Sequence, residues 1–328
     1  MSRLPLTFAC GPYDRTEALR SGEVQVEGID LNYLCIAAPR EIFDRMVGAL
    51  EFDVSELSAS EFISLTGNGK SPFVALPVFP SRVFRHGFMY VNTKAGIKTP
   101  KDLEGKRVGV PLYTQTAAIW ARGHLAHQYG VDLDKIHWVQ GAVEKAGSHG
   151  TPHALPLLKP VPIEENKSDK SLGQMLADGE IDALIGSRAP EVRSPNIARL
   201  FPNYREVERE LYVKHKIFPI MHLVAIRRDV YEKAPWIATS LYKAFVEAKQ
   251  WAIRRYRFSA ATSTMFPWHF DNVEEIDEIF GGDAWPYGVE ANRPTLEALV
   301  QMMVEQHFIP KPIPVDDLFV PIPTLLGR

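Results

Sequence analysis

The sequence predicts an α/β protein of two lobes, each a mostly parallel sheet flanked by helices, with a ligand cleft between them. Three observations carry this expectation. Residues 4–67 alternate short apolar runs with segments of helical period, the pattern of β-α units. The same alternation restarts at residue 107 and continues to 185. Two extended segments, 88–93 and 219–227, bracket that second run and read as a paired hinge. One α/β unit inserted into another follows, with residues 1–92 plus 226–328 as the first lobe and 93–225 as the second.

Residues 4–9 (LPLTFA) are a short apolar strand stopped by Gly11-Pro12, and a short helix over 16–21 follows the turn. Residues 29–36 (IDLNYLCI) are the second strand. Pro39 opens a helix whose Ile42, Phe43, Met46, Val47 and Leu50 share one face. Residues 53–57 are the third strand, and Ser58 with Glu61 forms an S-x-x-E capping box that starts another helix. The stretch 78–92 (VFPSRVFRHGFMYVN), rich in β-branched and aromatic residues, reads as one strand.

In the second run, 107–110 (RVGV) and 136–139 are strands. The helix between them carries Ala117, Ala121, Leu125 and Tyr129 on one stripe and stops at Gly130. Residues 141–167, rich in Gly, Pro and Lys, have no period and read as a long loop. A helix bearing Leu172, Met175 and Leu176 ends near Gly179, before the strand 181–185 (IDALI). The segment 219–227 (PIMHLVAIR) is a strand expected to pair with 83–92. A long helix through Ile237, Leu241, Ala244, Ala248 and Trp251 begins a mostly helical C-terminal third, with a loop at 280–288 and a Pro-rich tail.

A chain of 328 residues with 45% hydrophobic and 23% charged residues has room for two domains. The net charge of −3 excludes the basic excess of a nucleic-acid binder. No apolar run reaches the roughly 18–20 residues that cross a bilayer, so no membrane partner is expected. The N-terminal MSRLPLTFACGPYDR has no apolar signal core, which points to the cytoplasm. Cys10 and Cys35 each lie in a strand-like run and are expected as buried, reduced thiols. Walker, G-x-G-x-x-G, C-x-x-C and G-x-S-x-G motifs are all missing, which removes support for nucleotide and serine-esterase chemistry.

Anion-binding groups recur where strands give way to helices. In 109–125 (GVPLYTQTAAIWARGHL) a strand ends and a helix begins near Thr114 or Thr116; free N–H groups, the helix dipole and the two hydroxyls suit a carboxylate. A plain N-cap role for Thr116 is the structural alternative. Ser60 and Arg188 sit at comparable strand ends. In the 78–92 strand, alternation puts Arg82, Phe84, His86 and Phe88 on one face and Arg85, Gly87 and Met89 on the other. Arg82 and His86 would then line the cleft together, while Arg85 enters only through a twist or bulge. Bidentate carboxylate binding suits an arginine there; surface ion pairing is the plainer alternative. His222, in the returning strand, would face His86, with a satisfied core histidine as the alternative. His124 and His127 form an H-x-x-H without a supporting acid, so no metal site is read. His149 and His153 in the long loop are candidates for a lid.

The segments PSRVFRHGFMYVN, GKRVGVPLYTQTAAIWARG, RLFPNYREVE, IFPIMHLVAIRRDVYEKAPW and DAWPYGVEANRPTLE together resemble the 4,5-dihydroxyphthalate decarboxylase family. That family is similar in fold to type II periplasmic solute-binding proteins. The resemblance covers nearly the whole chain and is weakest in the loop at 141–153. It implies loss of CO2 from an aromatic dicarboxylate, giving 3,4-dihydroxybenzoate. Against that reaction, His86 and His222 suit the acid and base roles, in either assignment. Arg82 and Arg85, with Tyr113, Thr114 and Thr116, suit the carboxylate clamp, and Tyr287 in WPYG suits a phenol or carboxylate contact or a plain structural role. No cofactor is expected, with a divalent metal left open; the partner is a small aromatic dicarboxylate, with a homo-oligomer left open. A solute-binding protein for a carboxylate is the alternative, because fold alone does not separate the two.

Overall fold

The structure is a computed structural model that describes residues 3–150 and 155–323. The chain begins with β1 (Leu4–Cys10), α1 (Asp14–Ser21), β2 (Ile29–Cys35), α2 (Pro39–Ala49), β3 (Val54–Ser58), α3 (Ala59–Gly67) and β4 (Phe73–Arg82). It continues with β5 (Met89–Asn92), β6 (Arg107–Val110), α4 (Thr116–Tyr129), β7 (His137–Gln140), β8 (Ile163–Glu165), α5 (Leu172–Asp178), β9 (Ala183–Ile185), β10 (Ile197–Arg199) and α6 (Tyr204–His215). The last elements are β11 (Ile220–Arg227), α7 (Arg228–Lys233), α8 (Ile237–Arg257), α9 (His269–Phe280) and α10 (Arg293–Glu305).

Two helix-flanked sheets result. The first has the order β2-β1-β3-β11-β4 and the second β10-β5-β9-β6-β7-β8. Both are mixed rather than mostly parallel. β11 runs antiparallel to both its neighbours in the first sheet, and β5 does the same in the second. β5 belongs to the second sheet and β11 to the first, so the chain crosses between sheets earlier than the 92/93 and 225/226 divisions expected from the sequence.

The stretch 78–92 is not one strand. β4 stops at Arg82, where Ile220 of β11 is its partner. Residues 86–88 then form a single 3-10 turn before β5 begins. β11 therefore pairs with β3 and β4, not with 83–92. The turn is pinned from the other side by α6. Gly87 N–H donates to Glu208 Oε1 at 3.0 Å, and a Cβ on Gly87 would lie 2.8 Å from the Tyr204 ring. Only a glycine admits that approach.

The expected capping box is not formed: Ser58 does precede α3, but its hydroxyl bonds the Thr116 and Ser60 hydroxyls rather than a backbone N–H of the helix, and Glu61 pairs with Arg40. Cys10 and Cys35 are register partners across β1 and β2 yet both free; Cys10 is buried as expected and Cys35 is exposed. β8 lies inside the expected long loop, extending the second sheet. His153 falls outside the described residues.

Apart from a smaller cluster around Val139, Leu172 and Ile181, the core is continuous across the two sheets. α4 passes through it with Ala117, Ala118, Ile119, Trp120, Ala121 and Leu125 buried. Trp120 Nε1 donates to Ile220 O of β11 at 2.9 Å, and Gly123 admits Met302 of α10, whose sulfur would sit 2.2 Å from an added Cβ. The helix that follows β6 is thus seated against the first sheet and the C-terminal helix, which fixes its N-terminus over the space between the sheets. No described helix is long and apolar enough to cross a membrane.

Candidate active site

Between the sheets lies a cavity of about 440 Å³, within the roughly 300–1,000 Å³ of small-ligand sites. Its walls come from the carboxyl ends of parallel strands: Tyr13 after β1, Ala38 after β2, Ser58 at the end of β3, Leu112 after β6 and Ser187 after β9. Ligands of open α/β sheets bind at such strand ends. The N-termini of α2, α3 and α4 open onto the same space, through Pro39, Ser58 and Thr116, and add their positive dipole ends to it.

The first sheet contributes a row of three side chains. His222 of β11 is in register with Ser58 of β3 on one side and Ser81 of β4 on the other, and all three line the cavity. The β11–β4 register shifts on both sides of His222, an irregularity that re-aims side chains. Along β3 the side chains alternate, so Glu56 shares the face of Ser58 and meets His222 diagonally. Glu56 is fully buried, and its Oε1 accepts from His222 Nδ1 and from the Tyr13 hydroxyl, the latter at 2.6 Å. Its Oε2 accepts from Gly11 N–H at 2.9 Å and faces the Cys10 thiol at 3.6 Å.

Burial pushes the Glu56 carboxyl up. The charge and hydrogen bond of His222, with the bonds from Tyr13 and Gly11, outweigh that and hold it below its ordinary value. Burial, and then the charge of Glu56, push the Tyr13 phenol up, so it stays a neutral donor. With Nδ1 tied to a buried carboxylate, Nε2 is the His222 nitrogen left for a ligand. The imidazole is oriented further by Phe43, edge-on at 4.9 Å.

Arg85 is the cavity's unmatched cation. It is 3% exposed and lines the cavity, but among the described residues its hydrogen bonding is a long 3.4 Å contact from Nη1 to Ser187 O, and Nε has no partner. Burial lowers its pKa to about 9, against the opposing charge of Glu208. A buried guanidinium without a carboxylate is costly unless an anion arrives with the ligand. Arg40 differs: it is held by Asp44 at 2.8 Å and Glu61 at 3.0 Å. Arg188 is exposed at the rim, and His149 comes in from the loop after β7.

The sequence-derived candidates divide accordingly. His222, Arg85, Thr114, Thr116 and Arg188 are brought together around the cavity. Arg82 and His86 do not share a face with one another toward it, because the strand that would have alternated them ends at Arg82. Arg82 turns under Phe218, donating to its carbonyl at 3.0 Å with the guanidinium 4.8 Å from the ring. His86 is fully buried against α4, stacked on His124 at 4.9 Å and bonded through Nε2 to Gln128 at 3.1 Å. Burial lowers its pKa, so it is a neutral core ring.

Ser60 lies just behind the wall, its N–H donating to Thr116 Oγ1 at 3.1 Å and its hydroxyl to Thr114 O at 3.0 Å. Thr116 is the first residue of α4 rather than its N-cap, which is Gln115. Tyr113 is buried beneath Arg122, whose guanidinium is 3.6 Å above its ring. Tyr287 is buried beside Lys249 and does not line the cavity. The groups that sequence reasoning missed are Glu56, Tyr13 and Arg40. A signal for the first existed: an acid in the middle of an otherwise core-facing strand, VSELS.

Among the described residues no three His, Cys, Asp or Glu side chains are grouped to hold a metal ion. The arrangement suits carboxylate binding and proton transfer: a buried arginine without an ion pair among the described residues, three helix N-termini, and an imidazole backed by a carboxylate.

A family model described as NMT1/THI5 like matches residues 82–148. Among solved structures, the chain is similar to the periplasmic aliphatic sulphonate binding protein SsuA of Escherichia coli. The TM-score is 0.53 and the identity 12%, over 97% of this chain and 98% of that one. A sulfonate-binding SsuA of Methylobacillus flagellatus gives a TM-score of 0.52 at 14% identity, over 98% and 93% of the two chains. These likenesses show the periplasmic-binding-protein fold. In sequence, the chain is 39% identical over 206 residues to a 4,5-dihydroxyphthalate decarboxylase of Pseudomonas putida, 63% of this chain and 79% of that protein. It is 38% identical over 295 residues to the 4,5-dihydroxyphthalate decarboxylase of Comamonas testosteroni, 89% of each chain. With that identity over nearly its full length, the chain belongs to the 4,5-dihydroxyphthalate decarboxylase family.

Proposed function

We propose that this protein is a carboxy-lyase acting in the cytoplasm, removing one carboxylate of 4,5-dihydroxyphthalate as CO2 to leave 3,4-dihydroxybenzoate. The observation that carries the reading is the meeting of an unpaired buried arginine, Arg85, with the Glu56–His222 pair in one cavity. The family supplies the substrate.

A bare aryl carbanion is too basic to leave behind, so the ring carbon must gain a proton as the carboxylate departs. Each carboxylate of this substrate is para to a hydroxyl, which feeds electron density to that carbon. Arg85 and the first N–H groups of α4 hold the carboxylate that stays, bidentate geometry fixing the ring plane. Phe43, Leu112 and Met221 provide apolar wall. There the leaving carboxylate loses hydration that would stabilise it more than neutral CO2. His222, written as an imidazolium against the Glu56 carboxylate, gives its Nε2 proton to the ring carbon. The C–C bond breaks, its electron pair closes the aromatic ring, and His222 regains a proton from water. The dianionic substrate and one proton thus become CO2 and the product monoanion.

Purified protein supplied with 4,5-dihydroxyphthalate and no cofactor should release one CO2 per substrate consumed, with EDTA leaving the rate unchanged. Tight binding without turnover would overturn the enzyme reading in favour of a carboxylate-binding protein. Loss of the rate in EDTA with rescue by a divalent metal would overturn its cofactor-free part.

A further inference from the structure

The hydroxyl para to the departing carboxylate pushes electrons to the ring carbon far more strongly as its proton is withdrawn, and His222 is committed to that carbon. A second proton-transfer group in the cavity would withdraw the hydroxyl proton. Of the described histidines, His149 and His222 are the two that line the cavity. His149 reaches it from the loop after β7, in a turn that Ser148 ties by donating to Gly150 O at 2.7 Å and accepting from Gly150 N–H at 3.1 Å. Arg40 of α2 and Arg188, beyond β9, line the cavity with it.

We infer that His149 is the general base that takes the proton of the para hydroxyl, with Arg40 and Arg188 stabilising the phenolate that forms. The inference rests on the decarboxylase reading above. His149 accepts the hydroxyl proton as electron density moves to the ring carbon; His222 protonates that carbon; CO2 leaves; and His149 returns its proton to the phenolate. The cycle consumes the single proton that His222 takes from water.

The charged groups facing His149 leave it free to accept a proton, and although they lower its basicity they stabilise the phenolate formed in the same step. Burial, then Arg188, Arg40 and Lys145, all act to keep the imidazole neutral and hold its pKa below the ordinary 6.5. Glu61 also faces this region but is paired with Arg40. A neutral imidazole beside two guanidinium groups is poised to accept a proton from a neutral hydroxyl, because the anion produced is matched at once.

The test compares wild type with His149→Gln on 4,5-dihydroxyphthalate and on a ring-fluorinated 4,5-dihydroxyphthalate with a more acidic hydroxyl, across pH. For wild type the acid limb of kcat should lie below the ordinary histidine value. His149→Gln should lower kcat about 100-fold or more with KM little changed. That deficit should shrink about tenfold on the fluorinated substrate and as pH rises, because a hydroxyl that ionises unaided needs no base. A near-normal kcat, or a deficit equal for both substrates at every pH, overturns the assignment. No CO2 release by wild type on either substrate would instead sink the decarboxylase reading and with it the need for a base.

Discussion

Arg85 and Glu56 are two buried charges at the cavity, and they are compensated differently. Glu56 is satisfied within the chain by Gly11, Tyr13 and His222. Arg85 has no ion pair among the described residues, so its compensation must come from the ligand. This asymmetry separates holding from reacting. Arg85→Met keeps most of the side-chain volume and removes the charge. It should raise KM for 4,5-dihydroxyphthalate about 30-fold or more, the loss expected when a buried charge pair is truncated. The same variant should be at least as stable as wild type to urea, because an uncompensated buried cation is gone. A KM within about twofold of wild type would move the clamp to another group. At this scale the sequence was only partly legible. Thr116 and Arg188 were legible because they follow strands, whereas His222 was legible only as a histidine of the returning strand, and its expected neighbour His86 is not its partner. Arg82 and His86 were misplaced because alternation was carried through a strand that in fact stops at Arg82. Glu56 was overlooked because an acid in a short strand reads first as a solvent-facing residue.

Single elements decide where those residues point. The 3-10 turn between β4 and β5 re-aims Arg85 toward the cavity and sends His86 back under α4. Its cause is tertiary: α6 packs on Gly87 and Glu208 accepts its N–H, contacts that no local pattern in VFRHGF announces. The amphipathic helices and period-2 strands, by contrast, were legible because their own burial dictates them, as with Ile42, Phe43 and Met46 of α2. The starts of α3 and α4 are joined by a hydroxyl cluster in which Thr116 Oγ1 lies 3.0 Å from Ser58 Oγ and accepts from Ser60 N–H. Thr116→Val keeps the shape and leaves that buried N–H unbonded, so unfolding free energy should fall by about 1–3 kcal/mol in urea titration. A change below about 0.5 kcal/mol would mean that the two helix starts are held by packing alone.

At the scale of the molecule, the two-sheet fold makes a cavity at strand ends, where parallel strands, helix N-termini and loops converge. Sequence periodicity was enough for the two runs of β/α units. It was not enough for the mixed sheets, because the antiparallel placement of β5 and β11 depends on how the runs are joined. α4 is seated on both β11 and α10, so the wall that carries Thr116 is fixed relative to the wall that carries His222. The central claim is that the Glu56–His222 pair acts in the chemical step and not in binding. The direct measurement is His222→Asn, with calorimetric affinity for 4,5-dihydroxyphthalate set beside CO2 release. Affinity should stay within about threefold of wild type while turnover falls about 10²–10⁴-fold. Near-normal turnover, or a loss of affinity that accounts for the whole loss of rate, would contradict it.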